Sequence, residues 1–220
     1  MGALRRTTDW CRLGRGHLPR RYHHGDLRRA LLRSAERIIK KRGLAFVSLR
    51  EVARDARVSH SAPAHHFGNK AGLLTAFAAE GFARMAETCG AEVKKSPQTG
   101  PDILEAIGRG YVRFAIENPE HFGVMFREEL LDTTSPEFAS AADRAYDLLS
   151  QTLRRCVAEG YLRGADLEAV TASAWALAHG LATLWIGGRL RSRSNEKDGV
   201  RVAGRALHAF VDGTIRSTKH

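Results

Sequence analysis

Ser48-Leu-Arg-Glu-Val-Ala-Arg-Asp-Ala-Arg-Val-Ser-His-Ser-Ala-Pro-Ala-His-His-Phe-Gly-Asn-Lys70 is the stretch on which the reading of this chain turns. Ser48 is followed three residues later by Glu51, the spacing of a capping box, so a helix starts here. Leu49, Val52, Ala53 and Ala56 give that helix one apolar side. Arg57-Val58 then makes a tight turn, and Ser59 is placed to cap a short third helix running to about Phe67. Gly68-Asn69 breaks it, and a further helix starts near Lys70. Two short helices joined by a three-residue turn inside a basic segment are the layout of a helix-turn-helix.

Upstream, Leu27, Leu31, Ala35 and Ile38 are spaced four, four and three, so a helix beginning near Asp26 carries them on one face. Gly43 ends it. Downstream, Leu73, Leu74, Phe77, Phe82 and Met85 share the inner side of a fourth helix predicted from about Lys70 to Val93. Further helices are expected over about 101–117, 119–131, 136–159, 166–187 and 197–216, separated by Ser96-Pro97, Asn118-Pro119, Ser135-Pro136, Gly160, Gly164 and Gly187-Gly188. No strand-like alternation occurs, so the fold class is all-α. The expected domains are a flexible basic arm over 1–22, a three-helix DNA-binding domain over 23–84, and a helical regulatory and dimerisation domain over 85–220.

The charge distribution supports this division. Residues 1–70 hold 17 Lys and Arg against 5 Asp and Glu; residues 71–220 hold 18 against 19. The surplus of the +11 chain therefore lies in its first third, as expected of a module for a polyanion joined to a near-neutral body. With 43% hydrophobic residues the chain can bury a core. Cys11, Cys89 and Cys156 are odd in number and widely spaced, which indicates neither a disulfide framework nor a zinc ribbon and fits a reducing cytoplasm. The basic N-terminus lacks the apolar run of a signal peptide. The longest apolar stretch, Ala174 to Gly188, is interrupted by His179 and short for a bilayer span. No Gly-rich phosphate loop, G-x-S-x-G or H-E-x-x-H occurs, so neither an enzyme nor a cofactor or metal site is expected.

The segment from Ser48 to Lys70, with Leu73 beyond it, resembles the DNA-binding motif of TetR-type repressors. The matching positions are Ser48, Arg50, Val52-Ala53, Ala56, Val58-Ser59, His66-Phe67, Lys70 and Leu73. The resemblance spans about residues 24–84 and implies a repressor that leaves a palindromic operator when a small ligand binds. It departs at three positions. Arg57 stands where the family usually has Gly, at a cost of about 1 kcal/mol if φ is positive there. Ala64 replaces a usual Tyr, and Pro63 an apolar residue. With Ser59 as cap, Pro63 falls at the fourth helical position and removes an intrahelical hydrogen bond. Ala174-Trp-Ala-Leu-Ala-His-Gly-Leu-Ala-Thr-Leu-Trp185 resembles a Trp…His-Gly element in the ligand-binding domains of one branch of the family. The resemblance further implies that the last two long helices pair with their copies in a homodimer. Independently, Ala172, Ala176, Gly180 and Thr183 form a stripe of small residues that would let two such helices approach closely.

The candidate DNA-binding residues are Ser48, Arg50, Ser59, His60, Ser61, Ala62, His65 and Lys70. Arg50 and Lys70 can neutralise phosphates, while His60, Ser61, Ala62 and His65 can face bases, with Val58, His66 and Phe67 turned inward. Tyr111, Phe114, Phe122, Met125, Phe126, Trp175 and His179 are the candidate wall of a pocket for a small apolar or aromatic effector. Such residues more often make an ordinary core, and His179 equally makes a core histidine with one hydrogen bond. A constitutive DNA-binding or architectural protein without ligand is the alternative. A cavity behind the fourth helix distinguishes the two.

Overall fold

A computed structural model describes residues 24–218; the N-terminal arm and Cys11 lie outside the described residues. The described chain is helical, with no strand among those residues. The helices are α1 (His24–Arg42), α2 (Leu49–Ala56), α3 (Ala62–Phe67), α4 (Lys70–Val93), α5 (Gly100–Glu117), α6 (Pro119–Met125), α7 (Pro136–Ala158), α8 (Leu167–Ile186) and α9 (Gly199–Phe210).

The first three helices form a small head. Leu31, Ala35 and Ile38 of α1 are buried with Val52 and Ala53 of α2 and Phe67 of α3. The α1 face thus packs as its spacing predicts, with Leu27 half-buried at its start. Leu73, Leu74 and Phe77 on the first turns of α4 complete the same core, so α4 is rooted in the head. At the other end α4 belongs to the body. There α5 is the central helix, packed on α4, α6, α7, α8 and α9, and it buries Val112, Phe114 and Ala115 completely. The α4–α5 crossing is close because Gly110 has no side chain: a Cβ there would lie 2.6 Å from Cys89 Cα.

One predicted helix ends earlier than its pattern suggests, and another changes its winding. The segment expected over 119–131 leaves the helical region at Phe126 (φ −110°, ψ 17°) and resumes as a 3-10 turn at Glu128–Leu130. Phe126 there packs edge-on against Phe82 (5.6 Å) and Phe122 (5.4 Å), a tertiary contact that local periodicity does not encode. The segment expected over 197–216 widens after Phe210 into a π-helical turn, Val211–Ile215. That turn drives Val211 and Ile215 together into a second core with Leu104, Leu153, Cys156 and Leu162.

Helix α8 begins seven residues before Ala174, and its 20 residues are long and apolar enough to cross a membrane by length and composition. Only 28% of its most apolar window is buried. One face lies on α5 and α9, while Ala172, Ala176, Thr183, Leu184 and Ile186 on the other are exposed. A Cβ on Gly180 would meet nothing within 4 Å.

Candidate DNA interface and interior cavity

Local chemistry sets the head's exposed face. Ser48 Oγ accepts a hydrogen bond from Glu51 N (3.2 Å), which starts α2 as expected. The reciprocal half of the capping box is absent: the Glu51 carboxylate pairs with Arg42 (2.7 Å) and Arg54 instead. Arg57 ends α2 at φ 56°, ψ 47°, the left-handed conformation expected of a position that favours Gly. Its backbone N–H bonds back to Arg54 O (3.2 Å), closing the turn.

The start of α3 corrects the expected cap. The helix starts at Ala62, later than a Ser59 cap implies: Ser61 before it is already helical (φ −79°, ψ −22°) and its side chain caps no N–H, while Ser59 O accepts from Ala62 N (3.1 Å) and Ser59 Oγ lies 3.3 Å from Ser61 Oγ. Pro63 therefore falls in the first turn, where its missing N–H has no intrahelical acceptor to lose. Pro63 is buried, as is Phe67 one turn on, so the departure falls on the inward side of the helix.

Ser59, His60, Ser61 and His65 are exposed together on and before α3, with Ala64 beside them; Ala62 is half-buried. Val58 and His66 are half-buried and Phe67 is buried, the inward side of the same short helix. Ser48 is half-buried at its cap, next to exposed Arg50. Lys70 is exposed at the start of α4, where Asn69 Oδ1 caps Gly72 N (2.9 Å). The Asn69 cap was legible as an Asn just before an apolar helix. Gly72 was not: a Cβ there would lie 2.1 Å from Phe67 O, so α3 and α4 touch through their backbones.

Pairing separates the head's cations. Arg37 is held by Asp55, and Arg42 and Arg54 by Glu51. Arg50 and Lys70 make no ion pair among the described residues, and neither do Arg33, Lys40, Lys41 and Arg57. Of these, Arg50 and Lys70 stand at the starts of α2 and α4, before and after the two exposed imidazoles along the chain, and are suited to a phosphate backbone.

Behind the head lies a cavity of about 260 Å³. Phe82 and Met85 of α4, Tyr111 of α5, Met125 and Phe126 at the end of α6, and Trp175 of α8 line it. Four of the seven predicted pocket residues, Tyr111, Met125, Phe126 and Trp175, therefore face it. Phe114, Phe122 and His179 do not. Phe114 is wholly buried in the α5 packing. Phe122 stands behind the wall, edge-on to Tyr111 (5.8 Å). His179 Nδ1 is 2.9 Å from Tyr111 Oη, and burial lowers its pKa from 6.5, so a neutral ring braces the tyrosine from outside. Burial pushes the Tyr111 phenol up, keeping it protonated.

Three contacts tie head to body that the sequence did not disclose. Arg28 of α1 grips Glu137 at the start of α7 through both carboxylate oxygens (2.8 and 2.7 Å). Thr75 Oγ1 of α4 accepts a bond from Asp132 N (2.8 Å). His121 of α6 is fully buried and stacked on Phe77 of α4 at 3.9 Å, with neither ring nitrogen hydrogen-bonded among the described residues. Burial, with the charge of Arg84 adding to it, pushes its pKa down to about 3.

Residues 31–84 match the family model of bacterial regulatory proteins of the tetR family, and residues 104–210 match that of the tetracyclin repressor-like C-terminal domain. Among solved structures, the chain is 31% identical to a protein of unknown function from Rhodococcus sp. RHA1, covering 89% of this chain and 99% of that one at a TM-score of 0.76. It is 20% identical to a bacterial regulatory protein in the tetR family from Rhodococcus RHA1 (84% and 95% covered, TM-score 0.65). It is 21% identical to the TetR family transcriptional regulator PfmR from Thermus thermophilus (84% and 97% covered, TM-score 0.61). The last two likenesses are of fold alone. No curated protein matches the chain.

Proposed function

Since the chain belongs to the TetR family, whose members are soluble DNA-binding transcription regulators and not enzymes, we propose that it is a cytoplasmic, homodimeric repressor released from its operator by a small ligand. The observation that carries this reading is that one helix, α4, forms part of both the head's core and the cavity wall. A solid core would instead have favoured a constitutive binder.

Arg50 and Lys70 hold phosphates, and His60 and His65, with Ser61 between them, read bases in the major groove. The second copy covers the exposed apolar face of α8, where the small residues and open Gly180 leave room for a helix. Two heads related by a two-fold axis call for an inverted repeat, with half-sites about one helical turn apart or a multiple of it. A ligand weakens binding only if it favours an arrangement in which the heads no longer fit successive grooves. Tilting α4 changes that spacing.

The test is operator affinity with and without candidate ligands, on a site selected from random DNA, for wild type and Trp175→Ala. A ligand-dependent loss of about 5–150-fold, blunted in the variant, supports the reading. An asymmetric selected site, or affinity that no ligand of a broad metabolite panel changes, sinks it.

A further inference from the structure

The cavity has an apolar interior but an acidic, aromatic mouth. Glu128, Asp143 and Tyr146 line it together with Trp175, and all four are exposed, so they mark where the cavity meets solvent. Tyr146 and Trp175 remain 48% and 43% exposed and stand edge to face, ring centres 6.3 Å apart. Asp143 and Tyr146 are one turn apart on α7 and so share its cavity side. Neither Glu128 nor Asp143 has an ion pair or hydrogen-bonded side-chain partner among the described residues. Arg144, the cation next to Asp143, is engaged along α7 with Ser140 (3.0 Å).

We propose that the effector is a lipophilic cation: an apolar body that fills the cavity, and an ammonium-type head held at its mouth. This rests on the reading of the cavity as the effector site. Two unpaired carboxylates attract a positive charge and repel a carboxylate or phosphate. Tyr146 and Trp175 line the same cavity and are exposed in the single chain, so a ring face not met by the other's edge can take a cation, which a neutral alcohol does not exploit. The earlier end of α6 makes this possible, because the turn after Phe126 places Glu128 in the cavity lining. The same two carboxylates select against fatty acids and acyl phosphates of equal chain length.

The experiment compares decyltrimethylammonium, decanol and decanoate by isothermal titration calorimetry on the full-length dimer, each below its micelle concentration. The ammonium compound should bind about tenfold more tightly than decanol, and decanoate more weakly than both. In the Glu128→Gln/Asp143→Asn double variant that order should collapse towards equal affinity, with decanol binding, helical content and thermal unfolding unchanged. Equal binding of decanol and the ammonium compound, tightest binding of decanoate, or a preference that survives the double variant overturns the cationic assignment while leaving the cavity as an effector site. If none of the three binds, the cavity reading itself falls, and the cationic assignment with it.

Discussion

In the head, Arg37, Arg42 and Arg54 are matched by carboxylates, while Arg50 and Lys70, like Arg33, Lys40, Lys41 and Arg57, make no ion pair among the described residues. In the body, the ionic groups are gathered against each other: Glu92 with Lys95 and Arg113, and Glu105 with Arg109, His208 and Arg216. What the body leaves open is the apolar face of α8 and the interior cavity, with the unpaired carboxylates of Glu128 and Asp143 at its mouth. The head thus keeps unpaired positive charge, suited to a polyanion, and the body keeps open apolar surface, which the proposed function assigns to a second copy and a ligand. Perturbing one region should disturb the other through α4, through the Arg28–Glu137 grip of α1 on α7, or through pairing with a second copy.

The largest expected effect crosses from body to head. Gly180→Arg has room in one protomer but not between two packed α8 helices. It should yield helical monomers, seen by sedimentation and circular dichroism, with operator affinity reduced by about 10²–10⁴-fold because two linked half-sites become independent. A dimeric variant would move the interface away from α8.

Next comes the joint between the regions. His121 is neutral when folded, since its pKa of about 3 lies below the unfolded 6.5. Below pH 6.5 the unfolded chain therefore takes up the proton first, and stability from this group is lost as pH falls towards 3. At pH 5 the loss is about 2 kcal/mol relative to pH 7. His121→Phe preserves the stacking on Phe77 and should remove that share of the acid sensitivity in denaturant titrations at the two pH values. An unchanged pH dependence would place the titrating group elsewhere.

Within the head, Ser48→Ala should cost about 1 kcal/mol of stability by freeing the Glu51 N–H. Arg50→Ala and Lys70→Ala should leave stability unchanged yet each flatten the slope of log affinity against log salt by about one unit or less. A slope that does not move in the Arg50 variant takes that residue off the phosphates.

The head was legible in the sequence because its signals are local. A cap lies three residues from the N–H it serves, a left-handed turn residue shows as a break in pattern, and charge needs no partner to be counted. Where it misled, α3 starts at Ala62, later than a Ser59 cap implies, so Pro63 sits in the first turn and not at the fourth helical position. The cavity was legible only in part. Periodicity put Tyr111 and Phe114 on one helix, but which faces space and which faces core depends on α4, α7 and α8 meeting around them. Phe122 and His179 brace the wall for the same reason. Glu128 reaches the mouth through the tertiary contact that stops α6, and Arg28 meets Glu137 across 109 residues, so neither had a sequence signature.

Filling the cavity should move the head through α4. Ala142 on α7 lines the cavity without belonging to α4 or to the head, so Ala142→Phe puts a ring into the space that a ligand would take. The measurement is its operator affinity, alongside sedimentation to confirm the dimer and decanol titration to confirm that the cavity is closed. Coupling through α4 predicts affinity at least about fivefold weaker than wild type, the lower end of allosteric coupling. A dimeric variant that no longer binds decanol yet holds the operator as tightly as wild type would refute that coupling.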